Sequence, residues 1–321
     1  MASAPTLLDR RLLFFTGKGG VGKSTMAAAT AVLAAQQGRR VLLVEVDAKG
    51  DVTRLFEQAP VGFTPREIQP GILAMSMDTE ASLQEYLKLN LKVPVLGRLG
   101  PLAKVLDFVA TAAPGVKEIL TVGKIAWEVR EAIEGRADHD MVIVDAAATG
   151  HIVAQLGAPD AIQELVDVGP VRAQTQWMSE LLSDPEICAV NIVTTPEEMP
   201  VAETIELVGR IRTELHTPLG AVIVNRVLPE LFTTADEATF EALREEQATE
   251  ILASRAGPGT TAVLDGARLA VSLRRTRAVH LAHLLDSVDL PLLYVPYLFV
   301  RSHGLRVTRM VADALGQELG L

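Results

Sequence analysis

Nine residues near the start of the chain constrain its fold more than any other segment. They are Gly17, Lys18, Gly19, Gly20, Val21, Gly22, Lys23, Ser24 and Thr25. The apolar run 12–15 precedes them, and the alanine-rich segment 24–38 follows and ends in a glycine. An apolar run, a glycine-rich turn and a run of helix formers, in this order, predict a strand, a tight turn and a helix.

This turn matches the pattern G-x-x-x-x-G-K-[ST], and it lies between a strand and a helix, the context in which that pattern binds phosphate. Its glycines let successive backbone N–H groups turn toward phosphate oxygens, and the helix N-terminus adds positive potential. We therefore expect an ATP site in which Lys23 reaches the β- and γ-phosphates, the Ser24 hydroxyl binds Mg²⁺, and Thr25 contacts the α-phosphate.

The other apolar runs of the chain are short and nearly continuous, and helical segments separate them. They lie at 41–46, 72–77, 141–146, 191–195, 221–225 and 290–295. Such runs are typical of parallel strands that are buried on both faces. With 321 residues, 49% of them apolar, we predict one α/β domain over 1–321, a P-loop NTPase with a mostly parallel sheet and helices on both faces.

One region interrupts the alternation of strands and helices. Residues 79–137 contain helical patterns and no convincing strand, so we predict a helical layer outside the sheet, with 159–183 as a candidate extension. Two groups of apolar positions recur there at three- and four-residue spacing: Leu99, Leu102, Leu106 and Val109, and then Ile119, Val122, Ala126, Val129 and Ile133.

Acidic residues stand at the ends of two predicted strands. Asp145 closes one strand and Asp47 follows another. Because the carboxyl ends of parallel strands face one ligand crevice, we expect Asp145 to hold Mg²⁺ through water and Asp47 to orient or deprotonate the attacking water. Asp51 is an alternative to Asp47, and helix capping is an alternative role for these carboxylates.

Lys18 places a second lysine at the start of the phosphate loop. The resulting K-G-G-x-G-K-S resembles the signature of the deviant Walker A ATPases, a group that includes MinD, ParA, the nitrogenase iron protein and ArsA. The resemblance implies a dimer in which Lys18 crosses to the nucleotide of the partner. A cation there would offset the charge that builds on the transferred phosphoryl group, so Lys18 and Asp47 are the candidate catalytic residues.

The segment from Asp145 to His151 reads DAAATGH. It resembles the second switch of ArsA and of the eukaryotic tail-anchored-protein targeting ATPases, usually D-T-A-P-T-G-H, with Ala146 and Ala148 as departures. The resemblance continues through 194–204, 224–230 and 295–300 and so covers nearly the whole chain.

This family resemblance implies several site residues. Asp145, Thr149, Gly150 and His151 would form a switch, in which His151 senses the γ-phosphate at the dimer interface. Asn225 would contact adenine, and Pro296 with Tyr297 would flank the base.

Cysteine content separates this chain from some members of the group. ArsA pumps use cysteines for arsenite, the targeting factors bind zinc with a C-x-x-C pair, and nitrogenase-like reductases need two cysteines per subunit. Cys188 is the one cysteine here, so we expect none of these metal sites. A single cysteine also fits a reducing cytoplasm.

Charge and hydropathy set further bounds. The chain has 30 Lys and Arg against 40 Asp and Glu, a net charge of −10, which argues against nucleic-acid binding. Arg10 and Arg11 precede too short an apolar run for an export signal. The apolar stretch 290–300 holds two prolines and is too short to span a bilayer. We expect a cytoplasmic protein with no stable membrane insertion.

The leading functional hypothesis is an ATP-hydrolysing dimeric switch that binds and releases a protein client, as a homodimer or as a heterodimer with a related ATPase. A ParA/MinD-like positioning ATPase and the regulatory half of a heterodimer are the alternatives. A MinD-like protein would end in an amphipathic membrane helix, but 307–321 carries acids as well as bases and favours a packed final helix.

The role of the helical insert stays open at this point. Its helices either pack as a static layer or form a groove that receives an apolar client helix. The insert contains no methionine, which favours a narrow range of clients.

Overall fold

The computed structural model describes residues 7–91, 115–243, 245–257, 259–300 and 304–321. Within these ranges the strands are β1 (Leu12–Thr16), β2 (Val41–Glu45), β3 (Arg66–Gln69), β4 (Ile72–Ser76), β5 (Met141–Asp145), β6 (Cys188–Thr194), β7 (Leu219–Val227) and β8 (Leu292–Pro296). They form one sheet in the order β3-β4-β2-β5-β1-β6-β7-β8. Every neighbouring pair is parallel except β3 with β4, which confirms the predicted fold class.

The described ranges also contain helices on both sides of the sheet. They are α1 (Lys23–Gln36), α2 (Asp51–Leu55), α3 (Thr79–Leu91), α4 (Val116–Ile133), α5 (Thr149–Leu165), α6 (Pro170–Ser183), α7 (Glu198–Glu214), α8 (Thr234–Ala242), α9 (Glu246–Ala256), α10 (Thr260–Ser287) and α11 (Leu305–Leu319). No helix in these ranges is both long enough and apolar enough to cross a membrane.

Alternate side chains of each central strand enter two separate cores. Leu13 and Phe15 of β1 pack in one core with α1 and α11. Leu12 and Phe14 point the other way and pack with α4, α5, α6 and α7. Because both faces are covered, β1 is apolar at its first four positions, which is why the continuous apolar run in the sequence predicts it correctly.

The edge strand β3 is not predicted by the sequence pattern. Its residues are Arg-Glu-Ile-Gln, and only Ile68 is buried. A strand that pairs on one side and faces water carries little hydrophobic signal. The turn at Pro70 and Gly71, which joins it to β4, is the local feature that could have revealed the hairpin.

The helical region between β4 and β5 contains α3 and α4. Val122, Ala126 and Val129 of α4 are fully buried against the sheet, whereas Ile133 is 48% exposed. Leu99, Leu102, Leu106 and Val109 lie outside the described residues. The division of the chain into a domain and an insert therefore stays a prediction.

A buried lysine ties α3 to α4. The Nζ atom of Lys124 lies 2.8 Å from Glu85 Oε2 and 2.8 Å from Glu128 Oε1. It also lies 4.9 Å from the ring centroid of Phe63. Burial opposes the charge on Lys124, but the two carboxylates outweigh it and raise the pKa of the ammonium group.

Lys124→Ala should destabilise the chain by roughly 2–4 kcal/mol, because it leaves Glu128 buried without its cation. Urea unfolding of the purified variant measures this change. Lys117→Ala is the matched control, since Lys117 is exposed on the same helix. Equal unfolding midpoints for the two variants would contradict a structural role for the Lys124 network.

Candidate nucleotide-binding site

The glycine-rich loop between β1 and α1 has a backbone that other residues cannot easily adopt. Gly17, Gly20 and Gly22 have φ angles of 144°, 86° and 101°, in the region that disfavours residues with a β-carbon. A β-carbon at Gly17 would also collide with the carbonyl oxygen of Val193 in β6. The loop therefore packs tightly on the neighbouring strand and opens on its other side.

Asn225 of β7 braces the same loop. Its Nδ2 donates a hydrogen bond to the carbonyl oxygen of Val21 at 2.8 Å, and its Oδ1 accepts one from the backbone nitrogen of Arg226 at 2.9 Å. A β-carbon at Gly22 would collide with the Asn225 amide. Asn225 thus lies against the phosphate loop in this structure, and its predicted contact with adenine stays a prediction.

Three polar groups meet where α1 begins. The Nζ atom of Lys23 donates to the carbonyl oxygen of Lys18 at 3.3 Å. Ser24 lines the same cavity as Asp145, and its hydroxyl acts to lower the pKa of that carboxylate. Asp145 is 8% exposed, and its Oδ1 atom has no hydrogen-bond partner among the described residues. A buried carboxylate oxygen without a partner is costly unless a cation binds it.

Burial dominates the electrostatics of this cluster. It raises the pKa of Asp145 to about 6, although the Ser24 hydrogen bond and the Lys23 charge act in the other direction. Burial also lowers the pKa of Lys23, which Asp145 and Asp47 oppose. An unpaired carboxylate oxygen beside a serine hydroxyl provides the oxygen ligands that Mg²⁺ prefers. The residues present therefore fit the metal.

These groups share one cavity of about 610 Å³. Its lining combines residues of the loop with residues at or just beyond the ends of β2 and β5, and it includes Gly19, Gly20, Gly22, Lys23, Ser24, Thr25, Glu45, Asp47, Asp51, Asp145 and Ala148. Asp47 is exposed, and its Oδ2 lies 3.4 Å from Lys49 Nζ. Asp51 begins α2 and pairs with Arg54 at 3.1 Å. Both carboxylates reach the cavity, so its geometry does not choose between them.

Glu45 is a site residue that the sequence patterns do not reveal. It is 3% exposed, and its carboxylate accepts backbone hydrogen bonds from residues 50, 51 and 52 at 3.2, 2.7 and 3.4 Å. These bonds fix the turn that carries Asp47. A glutamate within the otherwise apolar strand Val41–Glu45 is the one signal that could have pointed to it.

The residues of the predicted second switch lie at the start of α5. Thr16 Oγ1 donates to the carbonyl oxygen of Ala147 at 2.8 Å, which ties this segment to β1. Thr149 Oγ1 donates to Glu203 Oε2 at 3.1 Å, while Gly150 and His151 are exposed. The phosphate-loop cavity is not lined by Thr149, Gly150, His151 or Glu203.

The residues predicted to flank adenine follow β8. The backbone nitrogen of Tyr297 donates to the carbonyl oxygen of Val227 at 2.8 Å. Its ring packs edge-on against Phe299 and lines a separate cavity of about 330 Å³. Pro296 ends the strand and is exposed. The structure does not bring Pro296 and Tyr297 into the lining of the phosphate-loop cavity, so their role stays a prediction.

Comparison with known proteins shows the family of this chain. Residues 10–173 and 167–253 match the family model described as anion-transporting ATPase, ArsA. The chain belongs to the ArsA ATPase family. This family membership agrees with the resemblance found in the sequence, and it implies that the site binds a nucleotide.

Individual relatives of this ArsA-family chain differ in length. It is 34% identical to the ATPase BagA of Mycobacterium tuberculosis (strain ATCC 25618 / H37Rv) over 301 residues, which are 89% of this chain and 87% of BagA. It is 32% identical to an arsenical pump-driving ATPase of Escherichia coli over 268 residues, which are 75% of this chain and 43% of that protein. The chain thus spans less than half the length of that pump ATPase.

Replacing Asp145 should stabilise the nucleotide-free protein at neutral pH. The pKa of Asp145 rises from 3.8 to about 6 on folding. At a pH between these two values, the folded state therefore keeps a proton that the unfolded state has lost. Stability therefore falls as pH rises through that window and stays lower above it. Asp145→Asn removes this loss, so the variant should be more stable by up to about 3 kcal/mol at about pH 7.5.

Thermal unfolding in chelator across this pH range measures the effect, and the difference from wild type should shrink toward zero at acid pH. Asp286→Asn is the control, since Asp286 is exposed on α10. An Asp145→Asn protein that is less stable than wild type at neutral pH would contradict an unpaired buried carboxylate.

Proposed function

We propose that this ArsA-family chain is a Mg²⁺-dependent ATPase that acts as a dimeric switch on a protein client. The observation that carries the ATPase part is the cluster at the start of α1. A cationic Lys23, a serine hydroxyl and a buried carboxylate oxygen without a partner line one cavity with the glycine loop. This combination suits a polyphosphate with its metal ion.

Each residue of the cluster has one role in this proposal. Backbone N–H groups of residues 19–25 and the Lys23 ammonium bind the phosphates. Ser24 and Asp145 hold Mg²⁺, Asp145 through water, and the metal ion neutralises charge on the phosphate oxygens. Asp47 orients the attacking water, and the bonds that Glu45 accepts keep the Asp47 turn in place.

Lys18 is proposed to act on the nucleotide of a second subunit. Its side chain is 32% exposed and pairs with Glu203, and it does not line the phosphate-loop cavity of its own subunit. A lysine that adjoins the phosphate loop but does not line the cavity of its own subunit is suited to reach a phosphate across an interface. The partner is a second copy or a related ATPase.

Paired lysine variants test the ATPase and the role in trans. Lys23→Ala should lose ATP binding, because the β- and γ-phosphates lose their cation. Lys18→Ala should bind ATP about as tightly as wild type but hydrolyse it at least about 100-fold more slowly, since it acts at the transition state. Calorimetry measures ATP binding by each variant, and phosphate release measures the rate of hydrolysis.

The exposed Lys117→Ala protein serves as the control for both variants. Wild-type hydrolysis by Lys23→Ala would refute the phosphate-loop assignment. Full activity of Lys18→Ala at concentrations at which the chain is monomeric would refute its role in trans.

A cavity in the helical layer supports the client part of the proposal. It measures about 300 Å³ and lies among α3, α4, α5 and α6. Most of its lining is apolar or aromatic, including Tyr86, Ile119, Trp127, Trp177 and Met178. We propose that it receives an apolar helix of the client. Residues from 159–183 contribute to the lining, which supports the candidate extension of the insert.

This proposed groove can be followed by intrinsic fluorescence, because Trp127 and Trp177 are the two tryptophans of the chain. An apolar helical peptide of about 20 residues should shift their emission, with a different affinity in ADP and in a non-hydrolysable ATP analogue. Ile119→Asp should weaken binding about tenfold, since it puts a charge in the groove. Ile133→Asp, on the exposed part of the same helix, should not.

Identical peptide binding in both nucleotide states would mean that the helices form a static layer. Equal effects of Ile119→Asp and Ile133→Asp would place the client site elsewhere.

Two observations weigh against a MinD-like membrane role and against arsenite binding. Val311 and Leu315 of α11 are buried in the core with α1, so the apolar face of this helix is already used and does not suit membrane binding in a MinD-like protein. Cys188 is fully buried, and burial raises the pKa of its thiol, which does not suit a thiolate ligand for arsenite.

A further inference from the structure

Glu203 of α7 joins two segments that the proposed function assigns to different steps. Its Oε1 forms an ion pair with Lys18 Nζ, and its Oε2 accepts a hydrogen bond from Thr149 Oγ1 at 3.1 Å. Lys18 follows β1, Thr149 follows β5, and α7 follows β6, three strands that are adjacent in the sheet. One carboxylate therefore links the segments that follow three adjacent strands, at the carboxyl ends of the strands where the nucleotide site lies.

The neighbouring acidic residues do not share these contacts. Glu197, which immediately precedes α7, pairs with Arg277 at 3.2 Å. Glu206 lies almost one turn beyond Glu203 and is exposed. The position of Glu203 on the helix, and not the acidity of the segment 194–204 as a whole, sets the link.

The link holds Lys18 inside its own subunit. The side chains of Lys18 and Glu203 are 32% and 27% exposed, so water only partly screens their attraction. Both carboxylate oxygens are engaged within the subunit. The Lys18 ammonium must leave Glu203 before it can extend to a phosphate across an interface.

Thr149 provides a way to release it. Thr149 is the first residue of α5, and its hydroxyl donates its hydrogen bond to Glu203. If Thr149 turns toward a γ-phosphate, Glu203 loses one of the two bonds that fix its rotamer. The ion pair then costs more side-chain entropy to maintain, and Lys18 is freed more easily.

We propose that Glu203 is a positioning residue that keeps Lys18 in its own subunit until the second switch responds to bound ATP. This inference rests on the proposed action of Lys18 in trans. In this role Glu203 contacts neither the phosphates nor the metal ion. It sets the concentration of ATP at which two subunits engage.

Glu203→Gln tests this role, because the amide keeps the size of the side chain and can still accept from Thr149 but loses the charge that holds Lys18. ATP-dependent dimerisation, measured by sedimentation with a non-hydrolysable ATP analogue, should need about two- to fivefold less analogue, as expected for one partly exposed ion pair. In hydrolysis, KM should fall by a similar factor with kcat nearly unchanged. A merely structural role would instead lower stability and kcat.

Glu206→Gln is the matched control, since it makes the same chemical change on the same helix without the contact to Lys18, and it should behave like wild type. The Lys18→Ala background gives the decisive comparison. There Glu203→Gln should no longer change the analogue concentration for dimerisation, because its effect passes through Lys18.

An unchanged or higher analogue requirement in Glu203→Gln, or an equal shift in the Lys18→Ala background, overturns the inference while leaving the proposed function intact. A wild-type chain that binds the analogue and stays monomeric refutes the proposed function and, with it, this inference. If Glu203→Gln does not fold, Glu203→Asp, which retracts the charge by one methylene, should show the same shift in weaker form.

Discussion

The contact between the glycine loop and the two strands beside it determines the rest of the site. Gly17 packs on the carbonyl of Val193, and the Asn225 amide holds the carbonyl of Val21. The loop is thereby pressed against β6 and β7, and its backbone N–H groups and the start of α1 face the opposite side. A side chain at Gly17 or Gly22 would push the loop away from these strands and so displace Lys23 and Ser24 as well.

This geometry concentrates opposite charges in a poorly hydrated space. The raised pKa of Asp145 and the lowered pKa of Lys23 have the same cause, the loss of water around both groups. Among the described residues, Asp145 Oδ1 has no hydrogen-bond partner and the hydrogen bond of Lys23 Nζ goes to a carbonyl oxygen, although the charges of Asp145 and Lys23 also attract each other. Electrostatic stabilisation of a bound anion and its metal ion is strongest in such a site.

Much of this arrangement follows from local sequence, and some of it does not. The buried strands, the loop and the positions of Asp47 and Asp145 are predicted because each depends on a few consecutive residues. Strand β3 has only one buried residue and gives little hydrophobic signal. Glu45 is a charged residue whose partners are backbone groups of the turn that follows its strand, and the burial of Lys124 depends on Glu85 in another helix. The pairing of Lys18 with Glu203 joins positions 185 residues apart, and no local pattern encodes it.

The departures of this chain from the motif that it resembles bear on how the proposed second switch would be coupled to the loop. Ala146 and Ala148 stand where the motif has threonine and proline, so neither contributes a polar side chain or a fixed backbone angle. Two other bonds connect this segment to its neighbours, from Thr16 to the carbonyl of Ala147 and from Thr149 to Glu203. The first is a buried bond to the backbone and suits a fixed anchor. The second is partly exposed and shares its acceptor with Lys18, so in the proposed switch it is the bond that a bound nucleotide would break at low cost.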